Sequence, residues 1–206
     1  MNATAKAGVI CVFGCLVILM SGCATTKLVN IWHDPSFQAP PFKTMLVIAV
    51  RKDAEKRHRW EDAFSEALAH NGVAATPSYR LFPDHVPDTN QVIASVHANG
   101  FDAIITISKL PSKIRLHPMP PYLFHGPYWR GYSECNAEEE AAGELDTERV
   151  DFRAVDVIAT EQGGHLIWKA ISRTRYADSL RDVHPAIARK VVADLVRRKI
   201  IGGAGN

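Results

Sequence analysis

Excess charge, cysteine and recognisable chemical motifs are what this sequence has least of. Its 206 residues carry 24 lysines and arginines against 22 aspartates and glutamates, a formal net charge of +2 with histidine neutral. A balance so near zero supplies no field to steer the chain onto nucleic acid, and no nucleic-acid partner is expected. Cysteine occurs at Cys11, Cys15, Cys23 and Cys135 only, with no paired-cysteine metal spacing. There is no Gly-x-Ser-x-Gly elbow, no phosphate loop and no His-Glu-x-x-His, the spacings that mark hydrolases, nucleotide sites and zinc peptidases. The nine histidines share no spacing. These absences predict a non-catalytic protein without a cofactor.

Long apolar runs are also few. The run from Ala7 to Met20, preceded by the single cation Lys6 and ended by Ser21 and Gly22, has the three parts of an export signal. It is shorter than the roughly 20 residues a spanning helix needs. Residues 1–22 are therefore read as a leader that is threaded and cut. Met20-Ser21-Gly22-Cys23 resembles the lipobox of bacterial lipoproteins, in which Leu is preferred at the position of Met20 and the cysteine is acylated as residue one of the mature chain. The resemblance implies lipidation at Cys23, and Ala24 behind it implies delivery to the outer membrane in a host with two membranes. The other reading is an ordinary signal peptide cut near Gly22 or Ala24. Buried acyl methylenes contribute about 0.8 kcal/mol each, so two or three chains anchor a protein where one does not.

Cleavage would leave 184 residues, enough for one domain with a proper core. It would remove Cys11 and Cys15, and the loss of Lys6 would lower the formal charge from +2 to +1. With Cys23 acylated, Cys135 is the one thiol left. It is read as a small tolerated or buried side chain, with a reactive thiol or one that pairs with another chain as the alternatives.

Residues 23–43 are read as anchor and tether, with three prolines (Pro35, Pro40, Pro41) and with Ile31 and Trp32 packing on the domain or forming an edge strand. His33 and Asp34 are adjacent, but neighbours in extended chain point opposite ways, which argues against an acid/base pair. Residues 44–50 form a continuous apolar run, the pattern of a strand buried on both faces. Asp53 to His70 follows as an amphipathic helix whose stripe is Trp60, Ala63, Phe64, Ala67 and Leu68. Asn71-Gly72 stops it. The cations Arg51, Lys52, Lys56, Arg57 and Arg59 at its start alternate with Asp53, Glu55, Glu61 and Asp62. They are read as a solvated face and not as a phosphate site.

Val73 to Ser78 is a short strand that Pro77 confines to an edge or a strand end. Asp88 or Thr89 caps a helix to about Ala98, and Asn99-Gly100 ends it. Phe101 to Ser108 is the third strand, expected to lie parallel to and beside 44–50. Val150–Thr160 and His165–Tyr176 form a hairpin across Glu161–Gly164. Asp182 to Ile201 is a last helix with Pro185 in its first turn, and 202–206 is a tail. The predicted class is α/β: a single β-α-β-α-β-β-β-α domain over 44–201, with helices packed on a mixed sheet.

An irregular excursion, 109–148, interrupts this order. Leu110 to Tyr132 holds five of the twelve prolines, and Glu134 to Glu148 holds seven acids and no base. A loop this long in a compact domain is usually functional or disordered. Its aromatic and histidine side chains make a candidate interaction loop of His117, Met119, Tyr122, Phe124, His125, Tyr128 and Trp129. His117, Met119 and His125 would also suit copper in an exported protein, which gives the alternative of a small-ligand or copper-binding protein. No metal is assigned.

The opening strand Lys43–Val50, the helix Glu61–Leu68, the turn Gly72–Tyr79, the strand Gly100–Ile105 and the hairpin Gly164–Trp168 together resemble a family of uncharacterised bacterial outer-membrane lipoproteins with one small α/β domain. More distantly, the chain is similar to domains of the curli-secretion lipoprotein and of penicillin-binding-protein activators. The resemblance implies a lipid-anchored protein on the periplasmic face of the outer membrane. Its expected partners are the membrane, through Cys23, and an envelope protein or further copies of itself. It carries no catalytic residues over to this chain.

Overall fold

The computed structural model describes residues 25–110, 150–175 and 183–203. Nine regular elements follow in chain order: β1 (Thr25–His33), β2 (Thr44–Val50), α1 (Ala54–Ala69), β3 (Ala74–Pro77), α2 (Thr89–Asn99), β4 (Ala103–Lys109), β5 (Val150–Ala159), β6 (His165–Arg175) and α3 (Val183–Arg197). The six strands make one sheet in the order β1-β6-β5-β4-β2-β3. β2 pairs in parallel with both β3 and β4, from Met45 opposite Ala103 to Val50 opposite Ser108. The other neighbours, β4–β5, β5–β6 and β6–β1, are antiparallel. The expected α/β class and the parallel 44–50/101–108 pair are both present.

Each element starts and stops where local chemistry directs it. Asp53 caps α1 through its side chain, which accepts from Lys56 N at 2.8 Å. α2 opens on a full capping box, Asp88 with Gln91, so two of its orphan amides are satisfied reciprocally. Gly72 and Gly100 hold φ of +78° and +65° after the two helices, the left-handed region that a Cβ disfavours. Pro77 closes β3 at the sheet edge, where its missing N–H breaks no ladder.

Alternation in β2 and β4 then divides the core in two. Met45, Val47, Ala49, Ile105 and Ile107 face α1 and α3 and meet Trp60, Phe64, Leu68, Ile187, Val191 and Leu195. Leu46, Ile48, Val50 and Ile104 face the other way, against Val92 and Val96 of α2. Strands buried on both faces explain why the runs were continuously apolar. Among the described residues, no helix is long and apolar enough to cross a membrane.

Three expectations need correction. The first concerns residues 23–43: of the two readings offered for Ile31 and Trp32, the edge strand is present, and it spans Thr25–His33, paired along β6 from Arg175 to Trp168. The sheet therefore includes residues read as tether, ahead of the expected start at 44. Trp32 packs on the α2-side core while Ile31 stays exposed. Second, the last helix stops at Arg197. Lys199 turns to φ +60°, and the chain then bends so that Ile201 bridges Phe42. That pairing removes Ile201 from water, which one more helical turn would not do.

The third correction is the largest. Arg57 and Glu61 are not a solvated face; they are buried, Glu61 completely. Glu61 Oε1 accepts from Arg57 Nε (3.0 Å), Ala49 N (3.0 Å) and Ser78 Oγ (2.7 Å), and Oε2 accepts from Tyr79 N (2.8 Å). Arg57 donates onward to Phe82 O, His85 O and Ser78 Oγ. One pair thus joins β2, α1, the turn after β3 and the segment leading to α2. Glu61→Ala should cost about 3–5 kcal/mol, because it leaves a guanidinium buried without its counter-charge. The check is a lowered urea midpoint at unchanged slope; a change below about 1 kcal/mol would mean that water reaches Arg57.

Candidate functional site

The carboxyl ends of parallel strands are where open α/β sheets gather their chemistry. Here that end also receives the start of β1, the start of β5 and the end of β6, because these pair antiparallel to their neighbours. On the face covered by α1 and α3, the sheet changes character as it approaches this end. Val155 and Val157 of β5 and Ala170 of β6 are core, but the next inward positions are Arg153, Asp151, Ser172 and Thr174, with Thr26 from β1. Register makes two rows of them. Asp151 lies opposite Thr174, which lies opposite Thr26, and Arg153 lies opposite Ser172. All five are buried. A polar floor of this kind continues an apolar core only if its groups find partners.

Some do. Arg153 Nε donates to Asp151 Oδ2 at 2.6 Å, and the hydroxyls of Thr26 and Thr174 share a 3.0 Å hydrogen bond. Others do not: among the described residues, Arg153 Nη1 and Ser172 Oγ have no hydrogen-bond partner. Arg153 is 7 % exposed and Ser172 0 %.

Above the floor sits Trp60 of α1. The Arg153 guanidinium carbon lies 5.2 Å from the centroid of its ring, a cation–π distance, and His184 meets it edge-on at 4.4 Å. His184 belongs to the first turn of α3, where the helix dipole already disfavours a cation. Burial depresses its pKa first, and the guanidinium groups of Arg153, Arg59 and Arg51 add repulsion, taking it from 6.5 to about 4. At neutral pH the ring is therefore uncharged, and the positive charge of the cluster resides on arginine. What the arrangement offers chemically is the unmade N–H of Arg153, whose charge Asp151 partly balances, and the Ser172 hydroxyl.

Two further polar groups at the opposite end of the sheet are structural. Asp194 accepts from Trp168 Nε1 (2.9 Å) and Arg198 Nε (2.6 Å) and pairs with Arg197, which fastens the end of α3 to β6. Asp34 lies 2.6 Å from His165 Nε2 and accepts from Ser36. Burial opposes its charge, but the bonds from Ser36 and His165 outweigh that and keep its pKa below the usual range. His33 points instead to Arg198, so His33 and Asp34 diverge as extended neighbours should.

Cys23, Cys135 and the interaction-loop residues His117, Met119, Tyr122, Phe124, His125, Tyr128 and Trp129 lie outside the described residues. So does the copper alternative His117, Met119 and His125. Among the described residues, no three His, Cys, Asp or Glu side chains are grouped to hold a metal. The polar floor itself was missed by sequence reasoning. Its signal was weak but present: Asp151 and Arg153 alternate with Phe152 and Ala154 on a strand whose inward face turned out to be theirs.

The fold and this cluster define a single-domain mixed α/β protein with a polar-floored end to its sheet. No family model and no curated protein sequence matches the chain. Among solved structures it is similar to two forms of the PelC dodecamer from Paraburkholderia phytofirmans. One aligns at 11 % identity with a TM-score of 0.45, over 88 % of this chain and 99 % of that one. The other aligns at 12 % identity with a TM-score of 0.44, over 87 % and 99 %. A PDZ domain protein from Parabacteroides distasonis aligns at 13 % identity with a TM-score of 0.38, over 89 % of this chain and 38 % of that one. Likeness at this level assigns no activity.

The depressed pKa of His184 sets a pH dependence. The unfolded chain takes up a proton near pH 6.5 and the folded chain only near 4, so stability is full above about 6.5 and falls as the pH drops toward 4. His184→Phe keeps a ring against Trp60 and removes the proton. Urea midpoints at pH 7 and pH 5 should differ less in the variant than in the native protein; equal differences would mean that His184 is already charged in the folded state.

Proposed function

We propose that the chain is a lipid-anchored, non-catalytic protein of the bacterial cell envelope, held through acylated Cys23 on the periplasmic face of the outer membrane and acting as an interaction or assembly module. What supports this reading is the length of chain between Cys23 and the fold. β1 begins at Thr25, and two residues extend by about 7 Å at most. An acyl chain on Cys23 would hold the sheet against the bilayer surface, with its anchor end inward.

The candidate interaction loop belongs to the same end. β4 ends at Lys109 and β5 starts at Val150, and these two strand ends are neighbours in the sheet, near Thr25 of β1 across β6. The residues between them, which include Tyr122, Phe124, Tyr128 and Trp129, thus leave and re-enter the fold beside the anchor. A partner reached by this loop would itself be membrane-associated or would sit at the membrane surface. Aromatic side chains are well suited to such a place, being apolar in body and polar at the tip.

Cys23→Ser should move the protein from the membrane to the soluble envelope fraction. Crosslinking in living cells, followed by purification in mild detergent, should capture an envelope partner with the intact chain and lose it on deletion of residues 112–131. Unchanged membrane association of Cys23→Ser would remove the anchor from the reading. A crosslink pattern indifferent to the deletion would remove the loop.

A further inference from the structure

The hydrogen bonds left unmade on the polar floor are a second, independent feature of the anchor end. We infer that Arg153 and Ser172, together with the first turn of α3, form a binding site for a phosphate-class oxyanion.

The donors are few. Arg153 has its Nε committed to Asp151, and its guanidinium carbon lies 5.2 Å from the centroid of the Trp60 ring. Nη1 has no partner. Ser172 stands directly across the β5–β6 ladder from Arg153 on the same face, and its hydroxyl has none either. Side chains directly opposite in an antiparallel pair have Cβ atoms about 5 Å apart, so the two rise from neighbouring points of the floor. The start of α3 supplies the positive end of its dipole and, since Pro185 has no N–H, the amides of Val183 and His184. Its His184 touches Trp60, the residue that covers Arg153. Arg59 and Arg51 add to the positive potential at His184.

The fully satisfied Arg57–Glu61 pair provides the contrast within the same protein. There, every guanidinium nitrogen has an acceptor. An isolated buried N–H or O–H costs about 1–3 kcal/mol, more when charged, and such groups concentrate where a ligand completes them. A spare Arg N–H gives a phosphate oxygen a charge-assisted hydrogen bond, stronger than one between neutral groups. Because Thr26 lies in the next row of the floor, and residue 26 is three positions from Cys23, the phosphate of a lipid headgroup and a free phosphate are both within the site's reach.

The test uses the chain from residue 23 with Cys23→Ser, which contains every described element and does not depend on acylation. It is titrated with inorganic phosphate, and separately with phosphatidylglycerol and phosphatidylcholine vesicles, by calorimetry and thermal melting at constant ionic strength. Saturable stabilisation by inorganic phosphate is expected if the ligand is soluble. Binding to phosphatidylglycerol alone is expected if it is a headgroup.

In either case Ser172→Ala should weaken binding roughly tenfold, the loss expected for one hydrogen bond to a charged group. Without phosphate, the same variant should be as stable as the native protein, since the hydroxyl it removes has no partner. Arg153→Lys should abolish binding. Ser65→Ala, which removes another buried unpartnered hydroxyl, this one on α1, should leave binding unchanged. No saturable binding of any probe, or binding indifferent to Ser172→Ala, overturns the assignment.

Discussion

The fold depends on one buried carboxylate. Glu61 lies where the carboxyl ends of β2 and β3 meet α1, and its two oxygens collect a β2 amide, a turn amide, a serine hydroxyl and the Arg57 side chain. A buried ion pair is poor evidence of net stability, because desolvation offsets much of the attraction. Its physical value here is geometric. Arg57 also donates to the carbonyls of Phe82 and His85, so the segment between β3 and α2 is held to the sheet without regular structure of its own.

That constraint has a consequence for the rest of the same end. With α1 fixed by Glu61, Trp60 on the adjacent position is carried over the sheet, where it covers Arg153 and meets His184. The two arginines contrast in role. Arg57 is fully satisfied and locks a loop, while Arg153 retains an unpaired nitrogen above a polar floor. One end of the sheet therefore carries three features: the structural lock, the polar floor, and the strand that starts two residues after Cys23. The opposite end is closed by Asp194 and by the Phe42–Ile201 bridge.

Much of this architecture was legible along the chain. The continuous apolar run at 44–50 has no polar face to present to water and must lie inside a covered sheet. The spacing of Trp60, Phe64 and Leu68 admits one helix face, and Asp53, Asp88, Gly72 and Gly100 are readable as caps because capping is local. Less legible was anything whose partner is remote in sequence. Arg57 and Glu61 were read as part of a solvated charged face, although their helical spacing continues through Phe64 and Leu68, which was the available clue. Thr25–His33 looked like tether because an edge strand next to prolines has little pattern until β6 is there to pair with it.

The sequence by itself determined the α/β class, the positions of the helices and inner strands, and the motif at Cys23, since each follows from local periodicity, capping or residue spacing. Tertiary structure alone decided which polar residues are buried. Ser78, Arg153 and Ser172 sit far apart in the chain, and only strand pairing and helix packing bring each to its neighbours. Burial is a property of what covers a residue, and the covering groups here come from other elements.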